Sequence, residues 1–231
     1  MNSNKIKLWD LPTRVFHWLL VMAVGAAVLT AQIGGNLIDV HGKLGLFVVG
    51  LLAFRLVWGL LGSTYARFAQ FFPTPSAIKA YLRGEWRGEG HNPLGALSVF
   101  GLLGVLTVQV LSGLVANDDI AFVGPLFDLV GKDWSDRLTG LHHLFGDAVI
   151  GLVVLHVAAI VFYVRVKKHN IVRPMVTGWK ADAEGESAQG GGLVALLLAL
   201  IVAVVCIYGA SGAWLPEPPP AAPAASSTPS W

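Results

Sequence analysis

The sequence predicts an all-α membrane protein with five transmembrane helices. Of its 231 residues, 55% are hydrophobic and only 13% are charged, against about 25% charged in a typical soluble chain. The charges also avoid five long apolar runs: Val15–Ile33, Leu44–Leu61, Leu94–Val115, Leu144–Val166 and Leu193–Trp214. A helix needs roughly 20 apolar residues to cross a bilayer. The runs are continuous rather than alternating and about twice the length of a barrel strand, which excludes a β-barrel. In hydrocarbon every backbone N–H and C=O must be paired within the segment, and a helix does this alone. A large soluble domain has no room in the chain.

The first run is long for the apolar core of a signal peptide, and no small-residue cleavage site follows it, so it reads as retained. The second run is interrupted only by Arg55. Residues 64–90 carry aromatic and basic residues around Pro73 and Pro75, a pattern that suggests a short interfacial helix. Residues 116–139 form an acidic loop, with Asp118, Asp119, Asp128, Asp133 and Asp136 against Lys132 and Arg137. Residues 181–192 read as a polar, Gly-rich linker to a fifth helix at 193–214. The Pro/Ala-rich tail, 215–231, cannot bury a core and reads as disordered or extended. Cys206, the only cysteine, lies in the fifth run, so the chain has neither an intrachain disulfide nor a cysteine pair for haem attachment.

Basic residues mark the cytoplasmic side. All but Lys43, Arg55, Lys132 and Arg137 of the 16 lysines and arginines fall in residues 1–14, 62–93 and 165–180. These are alternate segments, hence on one side. The expected topology puts the N-terminus inside and the C-terminus in the periplasm of a bacterial inner membrane.

Ionisable residues within a membrane point to function. His142 and His156 are 14 residues apart on the fourth run. On a helix they point within about 40° of each other and are separated by roughly 21 Å. Topology places His142 and His41 near the outer surface, and His17 and His156 deeper toward the cytoplasm. Two histidine pairs at two depths suit two six-coordinate haems, each taking one imidazole on either face of its ring. Gly42, Gly45, Gly50, Gly101, Gly104, Gly146 and Gly151 can give a ring access to the backbone. Interhelical hydrogen bonding is the alternative for each histidine taken singly. A zinc site would instead gather its ligands at one depth.

Arg55 follows His41 by the same 14 residues and should share its face one haem deeper. It either pairs with a propionate of the inner haem or snorkels to the cytoplasmic surface. His91, before Asn92 and Pro93, reads as part of a helix start, and His169 as solvated. His143 lies one residue off the ligand face and forms an i, i+4 pair with Asp147.

The stretches Trp9–His17, His41–Gly45, Phe54–Gly59, His91–Ala96 and His142–His156 resemble the bacterial cytochrome b561 family, which includes the b-type subunits of nickel-iron hydrogenases. The resemblance covers residues 7–180. It implies a four-helix haem-binding bundle over 1–180, to which the fifth helix is an addition. It implies two haem b groups with His17, His41, His142 and His156 as iron ligands. It also implies electron transfer involving a membrane quinone or quinol and a periplasmic redox partner. The acidic outer loop favours a basic partner such as a c-type cytochrome. Two other functions compete: a superoxide:quinone oxidoreductase acting alone at the outer surface, and a haem-free membrane scaffold. An electron-transfer subunit fits better than a stand-alone enzyme. Gly209, Ala210 and Gly212 on the fifth helix are expected to pack against another helix, opening a membrane complex through it.

Overall fold

A computed structural model describes residues 5–120, 122–181 and 183–216. The expected tail at 215–231 therefore lies almost wholly outside the described residues. Five helices are long and apolar enough to cross a membrane. They are α1 (Leu11–Ile33), α2 (Ile38–Leu61), α4 (Pro93–Gly113), α5 (Lys132–Arg165) and α7 (Gly192–Ala210). Two short helices, α3 (Pro75–Leu82) and α6 (Val172–Thr177), lie between them, and a small antiparallel ribbon joins β1 (Ile6–Lys7) to β2 (Trp179–Lys180). The chain is thus an all-α, multi-pass membrane protein.

Local chemistry sets the helix ends. Asp10 caps α1 by accepting a hydrogen bond from the Thr13 amide at 2.7 Å, with Pro12 in the first turn. Thr74 and Asn92 cap α3 and α4, each followed by a proline that needs no N–H partner. Gly34 ends α1 at φ 69°, a conformation open to glycine at little cost. The short helix expected within residues 64–90 is α3.

The hydropathy runs misplaced the start of α5 furthest, while α2 begins at Ile38 rather than Leu44 and α7 ends at Ala210 rather than Trp214. The fourth spanning helix begins at Lys132, 12 residues before the run at Leu144. Its first turns are polar and lie outside the apolar layer, where hydropathy carries no signal. Tertiary bonds hold them instead: the fully buried Ser135 donates to the Val115 carbonyl at 2.6 Å and accepts from Asn117 Nδ2 at 2.6 Å.

Helix α2 is the centre of the bundle. It packs on α1, α7 and α4, and α4 packs on α5, whereas α5 has no comparable backbone packing against α1 or α2. Only two residues of α5, Ser135 and Val149, are buried. The bundle therefore has two halves, α1–α2 and α4–α5, joined along the α2–α4 seam with a gap between their inner faces. Its outer faces carry exposed apolar side chains such as Leu29, Ile33, Leu60, Val154 and Leu155, which lipid covers.

The fifth helix packs its small residues against other helices of this chain. Ala195, Ala199 and Ala203, one helical turn apart, are buried against α2. A Cβ on Gly50 of α2 would collide with Ile207. Ala210 packs with Leu114 and Val115, and Gly212 abuts the Pro125 carbonyl. Close approach of backbones is what drives helix pairing in lipid, and α2 already provides the partner. Ala199 has 0% exposure. Ala199→Leu should therefore destabilise the detergent-solubilised protein by about 1–3 kcal/mol through overpacking. Leu198→Ala, at a lipid-facing position, should change it by less than about 0.5 kcal/mol. Thermal unfolding of the two variants checks this contrast.

The linker is docked rather than loose. Ala188 N donates to the Lys7 carbonyl at 2.7 Å, Thr64 N to the Gln189 carbonyl at 2.8 Å, and Tyr65 OH to the Glu186 carbonyl at 2.7 Å. Glu89 accepts from Glu184 N and Gly185 N and pairs with Lys180 at 2.6 Å. Burial pushes its carboxyl upward, but the Lys180 bond and the two amides hold it below the ordinary carboxylate range. These contacts join the segments around Lys7, Thr64, Glu89 and Lys180, all expected on the cytoplasmic side, into one cap.

Candidate cofactor sites in the gap

The gap holds a cavity of about 330 Å³ at the His41 end of the bundle. His41 on α2 and His142 on α5 face each other there, with ring centroids 5.9 Å apart and planes at 87°. Each ring is fixed by its Nδ1. His41 Nδ1 lies 2.9 Å from the Ala27 carbonyl oxygen and His142 Nδ1 2.8 Å from that of Gln109. A carbonyl only accepts, so both Nδ1 atoms carry the proton and both Nε2 atoms carry a lone pair. Gln109 Nε2 donates to the His142 lone pair at 3.2 Å. A carbonyl holding the far nitrogen is the usual support of a metal-binding imidazole.

Glycines make room for these rings. A Cβ on Gly113 would lie 2.7 Å from His142 Cε1. Gly42, Gly45 and Gly146 line the same cavity, whereas Gly50 serves the α7 contact. Gly101, Gly104 and Gly151 adjoin open space and line no part of it. His143 and Asp147 also line the cavity, but it is His142 that opposes His41.

The second pair is His17 on α1 and His156 on α5. They lie within electrostatic reach of each other. His156 Nδ1 is 3.2 Å from Ser98 Oγ, and His17 Nδ1 is buried with no hydrogen-bond partner. Among the described residues, no three His, Cys, Asp or Glu side chains gather as a zinc site would need.

Arg55 does not snorkel. It is 3% exposed, lies 4.4 Å from the Phe68 ring centroid, and leaves a buried Nη1 without a partner. Asp10 is the acid whose charge it feels, yet the two make no ion pair. Asp10 is occupied with Thr13 and with Trp58 Nε1, at 3.1 Å. Sequence alone left snorkelling open, because Arg55 is about two turns from the helix end. Phe68 and Phe16, folded over the guanidinium, keep it inside. A buried cation without a counter-charge is costly.

His91 was not legible as part of the site. Asn92 does cap α4, accepting from Gly95 N at 2.8 Å, but His91 itself is packed between Trp9 and Phe71, with ring centroids at 4.7 and 4.4 Å. Burial, then the charges of Arg55, His17 and His156, push it down to about 3, so its ring is neutral. Phe71, stacked on His91, lies 6.0 Å from Phe68, the ring that covers Arg55, which puts His91 on the Arg55 side of the bundle. No spacing rule could have found it, because the 64–92 segment must first fold back onto Trp9. His169 is exposed, as expected.

The residues present fit two b haems. The outer pair offers opposed imidazoles whose Nε2 atoms carry lone pairs, that of His142 held by Gln109, and the inner pair offers two histidines beside a buried guanidinium that lacks an anion. A haem brings two carboxylates as well as an iron.

The chain is similar to known membrane cytochromes. The family model described as prokaryotic cytochrome b561 matches residues 8–178. A probable Ni/Fe-hydrogenase B-type cytochrome subunit of Azotobacter vinelandii is 23% identical, over 77% of this chain and 89% of that protein. Its namesake from Rhodobacter capsulatus is 24% identical, over 76% and 81%. The probable Ni/Fe-hydrogenase 1 B-type cytochrome subunit of Escherichia coli K12 is 20% identical, over 78% and 92%. No solved structure matches the chain.

Proposed function

The chain belongs to the prokaryotic cytochrome b561 family and is a membrane b-type cytochrome of electron transfer; from that premise we propose that it holds two haems and passes electrons across a bacterial inner membrane, between the quinone pool and a periplasmic redox partner. His41 and His142 ligate the outer haem, and His17 and His156 the inner one. Arg55 pairs with a propionate of the inner haem. A bound b haem supplies a site that stores and releases one electron. The protein's own residues hold, orient and insulate it. Ala27 and Gln109 keep the outer imidazoles in the ligating tautomer. Apolar α1, α2, α4 and α5 side chains exclude water.

The observation that carries this reading is the opposed His41–His142 pair, each ring locked through Nδ1. Haem extraction from the purified protein tests it. Two non-covalently bound b haems per chain are expected; one or none overturns the pairing.

The relatives' names connect them to hydrogenases, which supports an electron-transfer subunit within a complex. A superoxide:quinone oxidoreductase is the second reading, and the charge of the outer site weighs against it. Asp118 and Asp147 line the outer cavity, and no lysine or arginine does. Exposed Asp119, Asp128, Asp133 and Asp136 extend the negative surface. Such a field repels an anionic substrate and attracts a basic protein, a c-type cytochrome being one example. A superoxide-dependent quinone-reduction assay separates the two readings. Haem b in the family sets aside the haem-free scaffold.

A further inference from the structure

The inner site contains a further orphaned polar group besides those of Arg55 and His17. His91 Nδ1 is buried without a hydrogen-bond partner. An unsatisfied buried nitrogen costs about 1–3 kcal/mol, and this one is not free to swing toward a partner. Its ring is held between Trp9 and Phe71. Its backbone is fixed by Asn92, which caps α4 through Gly95 N and donates from Nδ2 to Tyr163 OH at 3.0 Å. Tyr163 follows His156 by seven residues on α5, so both project from nearly the same face. The Asn92 cap thus ties His91 to the helix that carries an inner histidine. Phe71, stacked on His91, also lies 6.0 Å from Phe68, the ring over the Arg55 guanidinium.

We propose that His91 is a positioning residue of the inner haem site, donating its Nδ1–H to the carboxylate that Arg55 also binds. This rests on the two-haem reading above. A carboxylate offers acceptor sites for both donors at once, and it satisfies together Arg55 Nη1 and His91 Nδ1, which the protein alone leaves without partners. A neutral imidazole suits the task, since it adds an N–H dipole without placing another full charge beside Arg55 and the two inner histidines. By drawing the propionate's negative charge toward itself, it eases the arrival of an electron at the inner haem.

The decisive comparison is His91→Leu against His91→Asn. Both side chains lose the stacking between Trp9 and Phe71 and are similar in size, but only asparagine can keep an N–H where Nδ1 lies. His91→Phe is the complement, keeping the stacking and losing the donor. The readouts are haem content, the reduction equilibrium of each haem by spectroelectrochemical titration, and the propionate modes in resonance Raman spectra. Leu and Phe should disfavour reduction of the inner haem by about five-fold or more and shift its propionate modes. Asn should stay near wild type, and the outer haem should be unmoved throughout. The proposal falls if Leu and Phe leave the inner haem unchanged, or if Asn shifts it as far as Leu, which would mean that His91 only packs. It also falls if Leu and Asn alike abolish the low-spin inner spectrum, which would make His91 an iron ligand. A wild-type protein with no inner haem would overturn the two-haem reading as well, so the two failures are distinguishable.

Discussion

Replacing His142 with alanine should take the protein from two haems per chain to one, with the outer haem lost and the inner haem's spectrum retained. His41→Ala should do the same. On the proposed pairing each variant removes one of the two imidazoles that hold an iron, and the neighbouring His143 does not replace it. His143 lies beside His142, with ring centroids 6.4 Å apart, but His41 faces His142. Moving His143 into that place would require turning α5 by about 100°, against the Ser135–Val115 and Asn117 bonds that fix its first turns. His143→Ala should therefore keep both haems. The mirror variants, His17→Ala and His156→Ala, should remove mainly the inner haem. Pyridine haemochrome assays with redox-resolved spectra measure all five. If His143→Ala matches His142→Ala, the facing of α5 is wrong.

Arg55→Leu should lower the reduction potential of the inner haem and leave the outer haem nearly unchanged. The guanidinium is buried and unpartnered at Nη1, and a fixed positive charge favours an added electron nearby. At effective dielectric values found for buried sites, the charge is worth on the order of 1–2 kcal/mol, or roughly 40–90 mV for one electron. Arg55→Lys should recover part of the shift by restoring charge without the two-pronged geometry. On the two-haem reading the haems sit at different depths, so only the nearer should respond. Equal shifts in both haems, or none, would show that Arg55 meets no propionate.

The resemblance motifs make sense as interlocking parts. Asp10, within the Trp9–His17 opening, caps α1 and accepts from Trp58 of the Phe54–Gly59 stretch. Phe16 stacks near Phe54, and Phe54 on Trp58. The two stretches are far apart in sequence, yet they form one joint at the inner end of α1 and α2. The joint holds His17 and Arg55 at the same depth.

What the sequence determined by itself follows from periodicity and solvation. A span needs its full length of apolar residues, so five helices are legible one by one. Alternating basic and acidic loops give the order expected of them across the membrane. The 14-residue spacing of His142 and His156 requires only helix geometry. What tertiary structure alone decided depends on contacts between distant segments. The start of α5 depends on Ser135 meeting Val115. The inward packing of α7 depends on matching Ala195, Ala199 and Ala203 with Gly50 and its neighbours. Arg55 lies inside because Phe68 folds over it, and His91 joins the inner site because residues 64–92 return to Trp9. Hydropathy reports the transfer of a single residue into lipid. It carries no information about which two surfaces fit, and in a lipid-solvated bundle that fit decides where polar groups are held.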